Sequence, residues 1–271
     1  MTQSPPSHSE APMECDVGNI LTVVVLTKNE EADITNSVRS VTRGAELLLL
    51  DSGSSDGTIA AATAAPPLIP LRVETHPFGN YSTQRNVAID LVRTPWLLFL
   101  DADEQLTPDL EAEIAVVLRQ PDADAYWIPR RNELLGRWMR HTGWYPDAQL
   151  RLLRRDAVRY DPRRSVHEVA EVNGTTGTLH AHLIHVNYRS VREFIQKQRV
   201  FASYEAEQMR RAGAVRQRAL VGQPLREFVR RYLHLQGYRD GWRGLLFSLL
   251  LAYARLHAVR LARAMQHGCA R

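Results

Sequence analysis

Three apolar runs, Ile20 to Leu26, Leu47 to Leu50 and Trp96 to Leu100, each break off at a short polar turn, and the first two turns lead straight into helical spacing. No other feature constrains the fold as much. Runs this rich in Val, Ile and Leu, without polar alternation, read as strands covered on both faces. Strands of that kind separated by helices run parallel, because each crossover carries the chain back to the starting edge. Helices are expected at about Ala32 to Arg43, from Ser55 or Asp56 to Ala65, from Ser82 to Val92, and from a Thr107 cap with Pro108 in the first turn to Leu118. A short strand at Leu71 to Glu74 completes a doubly wound, mostly parallel α/β sheet.

Beyond Ala125 the pattern changes to short strands, Tyr126 to Pro129, Gln149 to Leu153 and Leu179 to Val186, which suit antiparallel additions to that sheet. From Ser190 onward the chain reads as helical, in pieces near 190–212, 224–236 and 242–266. The expected organisation is a loose tail over 1–16, an α/β domain over 17–188 with halves at about 17–124 and 125–188, and a helical extension over 189–271. The tail has neither the basic start nor the apolar stretch of a signal peptide. Cys15 and Cys269 are the two cysteines, so neither a disulfide framework nor zinc spacing exists, and a cytoplasmic setting is expected. Residues 1–129 hold 7 Lys or Arg against 19 Asp or Glu, whereas residues 130–271 hold 27 against 11. An acidic first half suits a cation-requiring site, and a basic second half suits an acidic acceptor or an anionic membrane surface.

The strand ends carry the chemistry. Asp101 and Asp103 follow the Trp96 run one residue apart, on one face if extended geometry persists, where both can turn oxygens toward a hard cation that grips a diphosphate. Thr27-Lys28-Asn29-Glu30-Glu31 and Asp51-Ser52-Gly53-Ser54-Ser55-Asp56-Gly57 end the other two runs on the same edge. Asp51 can accept from a base amide and Gly53 permits close backbone approach, although the second segment reads equally well as a turn and helix cap. Arg85, near a helix start, suits phosphate. A haloacid dehalogenase hydrolase also uses Asp-x-Asp, but at the end of a first strand; here the pair ends a later one.

The order TKNEE, DSGSSDGT, QRN and DADE, then PRRNELLGRWMRHTGWYPDAQLRLLRR and VHE, resembles the family 2 glycosyltransferases of GT-A fold, within them the bacterial lipopolysaccharide inner-core β-1,4-glucosyltransferases. The resemblance implies a nucleotide-sugar donor, usually a UDP-sugar, a divalent Mg²⁺ or Mn²⁺, and inversion at the anomeric carbon. It implies that Thr27, Asn29, Glu30 and Asp51 surround the base, that Arg85 approaches base or diphosphate, that Asp101 meets ribose or metal, and that Asp103 binds the cation. It also makes His167 a candidate late metal ligand.

Inverting transfer needs a carboxylate that takes the acceptor proton. Asp147, in the aromatic loop Gly143-Trp144-Tyr145-Pro146-Asp147, is the first choice and Glu104 the alternative. Trp138, Trp144 and Tyr145 among Arg130, Arg131, Arg137, Arg140 and Arg151 suit a phosphorylated sugar acceptor, with Trp144, Tyr145 and Arg131 as its leading contacts. Nucleic acid is not expected, since no nucleic-acid-binding module accompanies these arginines. His180, His182 and His185 read as a solvated strand face. Eleven uncharged residues, Gly244 to Ala254 between Arg243 and Arg255, are too few to span a bilayer and suit either an interfacial helix on the cytoplasmic face of the inner membrane or a core-packing or dimerising helix. The expected function is metal-dependent hexose transfer, glucose from UDP-glucose, to the anionic glycolipid of the lipopolysaccharide or lipooligosaccharide inner core. The alternatives are a polyprenyl phosphate or peptide acceptor, or a non-catalytic nucleotide-sugar-binding paralogue.

Overall fold

The computed structural model describes residues 17–163, 170–213 and 217–268. In chain order the strands are β1 Leu21–Thr27, β2 Glu46–Asp51, β3 Leu71–Thr75, β4 Trp96–Asp101, β5 Glu104–Gln105 and β6 Ala125–Leu134, then β7 Arg137–Trp138, β8 Asp147–Arg154, β9 Val158–Tyr160, β10 Ala170–Val172, β11 Thr176–Thr178 and β12 Leu183–Tyr188. The helices are α1 Ile34–Arg39, α2 Thr58–Ala64, α3 Tyr81–Leu91, α4 Pro108–Val117, α5 Val191–Arg211, α6 Ala219–Val229 and α7 Gly241–Gly268. Two units divide the chain, one running through Ile128 and resuming over Leu150–Ala181, the other made of Pro129–Gln149 and the residues from His182 onward.

In the first unit β3, β2, β1 and β4 lie side by side in that order and run parallel, and β8 closes on β4 antiparallel through Leu97 opposite Leu153. This is the expected α/β architecture with β8 as an antiparallel addition, but β11 and β12, where antiparallel pairing was expected, run parallel to β6. The central strands carry no solvent-facing side: Val23, Val24, Val25, Leu47 to Leu50 and Leu97 to Leu100 are all fully buried. Val24, Leu48 and Phe99 pack with Ile89 and Val92 of the α3 segment, and each such side chain contributes about 1.5–3 kcal/mol relative to exposure.

Helix boundaries follow local hydrogen bonds more than periodicity. Asn80 caps α3 by accepting from the Thr83 amide (2.8 Å), and Thr107 caps α4 by accepting from Leu110 (3.2 Å). α1 is shorter than its apolar spacing predicts. The Glu111 carboxylate accepts from the amides of Thr42 (2.7 Å) and Arg43 (3.2 Å), so these residues leave the helix with their donors satisfied. α2 starts at Thr58 because Asp56 accepts from the Thr58 amide (3.1 Å) while the residues before it are held by the preceding loop. β6 continues past Pro129 to Leu134, and the strand expected over Leu179 to Val186 is β12, with the separate short β11 before it.

The second unit gathers residues 129–149 onto the C-terminal helices. Phe194 of α5 and Phe247 of α7, both almost fully buried, meet edge-on at 5.2 Å, with Tyr188 4.8 Å from Phe194. Leu134, Met139 and the partly buried Trp144 complete this cluster. α7 enters through a close crossing, where a Cβ on Gly244 would stand 1.8 Å from the Gly237 carbonyl oxygen. The stretch Gly237–Gln266 is long and apolar enough to cross a membrane by length and composition, with 28% of its most apolar window buried inside the protein. The eleven-residue run understated it, because the helix continues apolar on either side of isolated arginines. Phe247→Ala is expected to destabilise the protein by about 3–5 kcal/mol through the cavity it opens, read as a lower midpoint in urea unfolding.

Candidate active site

The register of the parallel strands sets the site. Thr27 pairs with Asp51 and Leu26 with Asp101, so the three polar termini stand side by side at the carboxyl edge, where the chain goes from β1 to β2 on one side and β4 lies on the other. A crevice opens at such a reversal of strand order.

The two loops on that edge are tied to each other. The Asn29 amide donates to Ser54 Oγ (2.9 Å) and Asn29 Oδ1 accepts from the Ser55 amide (2.8 Å). One position on, the Glu30 amide donates to Thr58 Oγ1 (2.8 Å), and Glu31 accepts from the Gly57 amide (3.1 Å). Asn29 and Gly53 both take positive φ, 57° and 82°, a conformation that asparagine and glycine tolerate best. Asp51 is buried inside this stitching. Its Oδ2 accepts from the amides of Gly53 (3.0 Å) and Ser54 (2.9 Å), and its Oδ1 from Ser54 Oγ (2.5 Å). The turn reading of this segment is therefore realised, and Asp51 shapes the backbone facing the crevice. Thr27 is buried, and its hydroxyl has no partner among the described residues.

Asp101 meets Arg151 in a two-pronged ion pair, Nη1 at 3.0 Å to Oδ1 and Nη2 to Oδ2. The same Nη2 donates to Glu104 Oε1 (3.0 Å), while Glu104 Oε2 accepts from the Asp101 amide (3.0 Å). Burial works against the charge of Arg151, but the carboxylates of Asp101 and Glu104 outweigh it and hold its pKa above the ordinary arginine value. Arg151 was expected among the acceptor-side arginines; it is instead this buried counter-ion. Glu104, the alternative base, is fully buried with both oxygens so engaged, which leaves it no route to an acceptor hydroxyl. The signal for Arg151 lay in its place within the apolar strand Leu150-Arg151-Leu152-Leu153, where a lone arginine needs a buried anion.

Arg85 sits in the second turn of α3, buried over the Phe99 ring (4.7 Å) and 3.7 Å from Asp101. Its neighbour Gln84 fixes the adjoining loop by donating to Ser52 Oγ (2.9 Å) and the His76 carbonyl (3.2 Å), a role the sequence did not announce. Asp103 lies on the turn between β4 and β5 and, like Asp101, is partly exposed. Hard oxygen donors there fit Mg²⁺ or Mn²⁺, with Asp103 as the fitting ligand and Asp101 turned to Arg151. Among the described residues no group of three or more His, Cys, Asp or Glu forms a metal cage. His167 lies outside the described residues.

Asp147, in the second unit, is held by Arg130 Nε (2.9 Å) and Asn132 Nδ2 (2.9 Å) on Oδ2 and by Gln149 (2.8 Å) on Oδ1. Burial alone would raise its pKa, but the Arg130 charge and these hydrogen bonds prevail and hold it below the ordinary carboxylate range. His185 is no solvated residue: it is buried and bonds Asn132 Oδ1 (2.6 Å), behind Asp147. His182 contacts Tyr145 Oη (3.1 Å) and the Trp138 ring edge-on. Trp144 packs toward Tyr188 and Phe247 in the core cluster, whereas Arg131 lies over Trp138 (5.3 Å).

Residues 22–172 match glycosyltransferase family 2. The chain belongs to that family. It is 30% identical over 251 residues, 89% of this chain and 91% of the relative, to the lipopolysaccharide core biosynthesis glycosyltransferase LpsC of Rhizobium meliloti (strain 1021). An uncharacterised glycosyltransferase of Rickettsia bellii (strain RML369-C) is 31% identical over 39% of the chain and 35% of its own length. Among solved structures, S. aureus TarS gives a TM-score of 0.49 at 16% identity, covering 92% of this chain and 55% of that one. This family 2 enzyme is thus a glycosyltransferase homologous to a lipopolysaccharide core enzyme. Arg151→Met strands the buried Glu104 carboxylate beside the partly exposed Asp101 and is expected to destabilise the glycosyltransferase by about 3–5 kcal/mol; an unchanged urea midpoint would contradict the role given to the ion pair.

Proposed function

We propose that the enzyme transfers glucose from UDP-glucose, with inversion, to the inner core of lipopolysaccharide or lipooligosaccharide at the cytoplasmic face of the inner membrane. The observation that carries this reading is the alignment of Thr27, Asp51 and Asp101 at one crevice, in a chain related over most of its length to a core biosynthesis enzyme. In this reading Thr27, Asn29, Glu30, Asp51 and Gly53 form the wall against which the uracil ring lies. Arg85 supplies a guanidinium to the diphosphate and Asp101 positions it. Asp103 holds the divalent cation, which as a Lewis acid supplies charge neutralisation for the departing diphosphate.

Asp147 acts as base. The acceptor hydroxyl oxygen bonds the anomeric carbon from the face opposite the diphosphate, its proton passes to the Asp147 carboxylate, and the anomeric C–O bond to phosphate breaks with its electrons going to UDP. Asn132 and Gln149 fix the carboxylate, with His185 locking Asn132. Tyr145 and Arg131 receive the acceptor, with Trp144 backing them from the core.

Chelator is expected to abolish UDP release, and Mg²⁺ or Mn²⁺ to restore it. Asp147→Asn is expected to lower transfer by about 10²–10⁴-fold with UDP affinity retained; normal turnover in a folded variant would refute the base. Because the Asp147 pKa is held below its ordinary value, the base stays ionised as pH falls, and kcat/KM is expected to show no acid limb above about pH 5.

The membrane reading rests on Leu245, Leu249 and Tyr253, an exposed apolar stripe at helical spacing on α7, with arginines beside it. The protein is expected to float with phosphatidylglycerol vesicles, and L249D/Y253D to lose that binding. Equal flotation of the double variant would sink this placement.

A further inference from the structure

Within the second unit, the β6–β7 hairpin, the loop after it and the start of α7 enclose a cavity of about 680 Å³. Five arginines line it: Arg131, Arg137, Arg140, Arg239 and Arg243. Arg131 is paired with Glu133 at 2.8 Å. Among the described residues no carboxylate lies within ion-pair distance of the other four.

The acid on the wall does not neutralise them. Asp240 is buried, and its Oδ1 accepts from the Arg140 amide (3.2 Å) and His141 Nδ1 (3.1 Å), its Oδ2 from the His141 amide (3.0 Å) and Thr142 Oγ1 (3.0 Å). These bonds clamp the hairpin loop to the entry of α7, so the walls are set before any ligand arrives. The guanidiniums rest on neutral groups instead: Arg140 over Trp138 (4.3 Å), Arg243 over Trp242 (4.5 Å) and Arg239 against Gln236 Oε1 (2.8 Å). Four uncompensated cations around one concave space repel one another, and a concave wall focuses their field. That arrangement is unfavourable when empty and favourable around an oxyanion, which guanidinium grips with two hydrogen bonds. Trp242, 61% exposed at the rim, offers an indole face of the kind on which sugar rings stack. The volume suits one or two sugar rings rather than a bare ion.

We infer that this cavity binds a phosphorylated sugar, the arginines taking the phosphate and Trp242 the ring. The inference builds on the proposed function, for which it supplies the site that recognises the acceptor's anionic group. Calorimetric titration of the full-length protein with glucose 6-phosphate and with glucose tests it. Glucose 6-phosphate is expected to bind, more weakly as salt rises, with glucose at least tenfold weaker. R140Q/R239Q is expected to lose at least tenfold in affinity for glucose 6-phosphate while titrating UDP as the parent does, and R140K/R239K to recover part of the loss. If the glutamine pair disturbs UDP binding, R137Q, at an exposed position, takes its place. Equal binding of the two sugars, or an arginine variant indistinguishable from the parent, overturns the inference. Arginine-dependent binding seen only with phosphatidylglycerol vesicles overturns it as well, because the cavity would then read a lipid phosphate. Arginine-dependent glucose 6-phosphate binding in a protein that turns over no UDP-sugar supports the cavity and refutes only the transferase reading.

Discussion

The carboxyl edge of the parallel sheet depends on one buried cation. Arg151 places a guanidinium among Asp101, Glu104 and the backbone turn that joins them, and the three charges hold that turn together. Without it, two carboxylates three residues apart would face each other in a medium of low polarity, and one would take up a proton or swing out. With it, Glu104 turns inward to the Asp101 amide, and the turn carrying Asp103 is fixed from its buried side.

The rest of the crevice is built on the same economy of polar groups. β1, β2 and β4 are so thoroughly apolar that their ends are the first places where the backbone can meet polar partners. Asn29 and Glu31 reach across to the amides of the neighbouring loop, and Asp51 gathers the amides that follow it. Each loop lends the other the acceptors that its own backbone lacks, so neither is ordered alone. A nucleotide approaching this edge meets a surface that is already fixed, which lowers the entropy lost on binding.

The parallel sheet was legible in the sequence because both-face burial leaves an unmistakable pattern of uninterrupted Val and Leu, and the Thr107 cap with Pro108 stood where expected, whereas α2 starts after Gly57 rather than at Ser55 or Asp56. The strand-end motifs were legible for the same reason, since polar clusters after such runs have one edge to occupy. What could not be read was pairing between distant residues. The apolar neighbours of Arg151 announce a buried anion but not which one; it neutralises Asp101 and Glu104, while Arg130 pins Asp147. The early end of α1 is likewise decided by Glu111, some seventy residues away. His185 looked like part of a solvated stripe because strand alternation says which side a residue takes and not what covers that side. The attachment of residues 129–149 to the C-terminal helices turns on Trp144 and Phe247, two aromatics about a hundred residues apart.

The opposed charges of the two halves of the sequence acquire a sharper meaning from these pairings. The acidic half does not present a plain negative field at the crevice, because the basic half contributes Arg151 to it and Arg85 lies beside the same carboxylate. Arg151 is buried and bidentate, and its charge is used up in structure. Around the hairpin and the start of α7 the reverse holds: the one nearby aspartate is turned to backbone amides, and four arginines keep their charge. Net charge by half therefore predicts little about either site. What sets the local field is which cations find carboxylates within the fold and which are left facing a cavity.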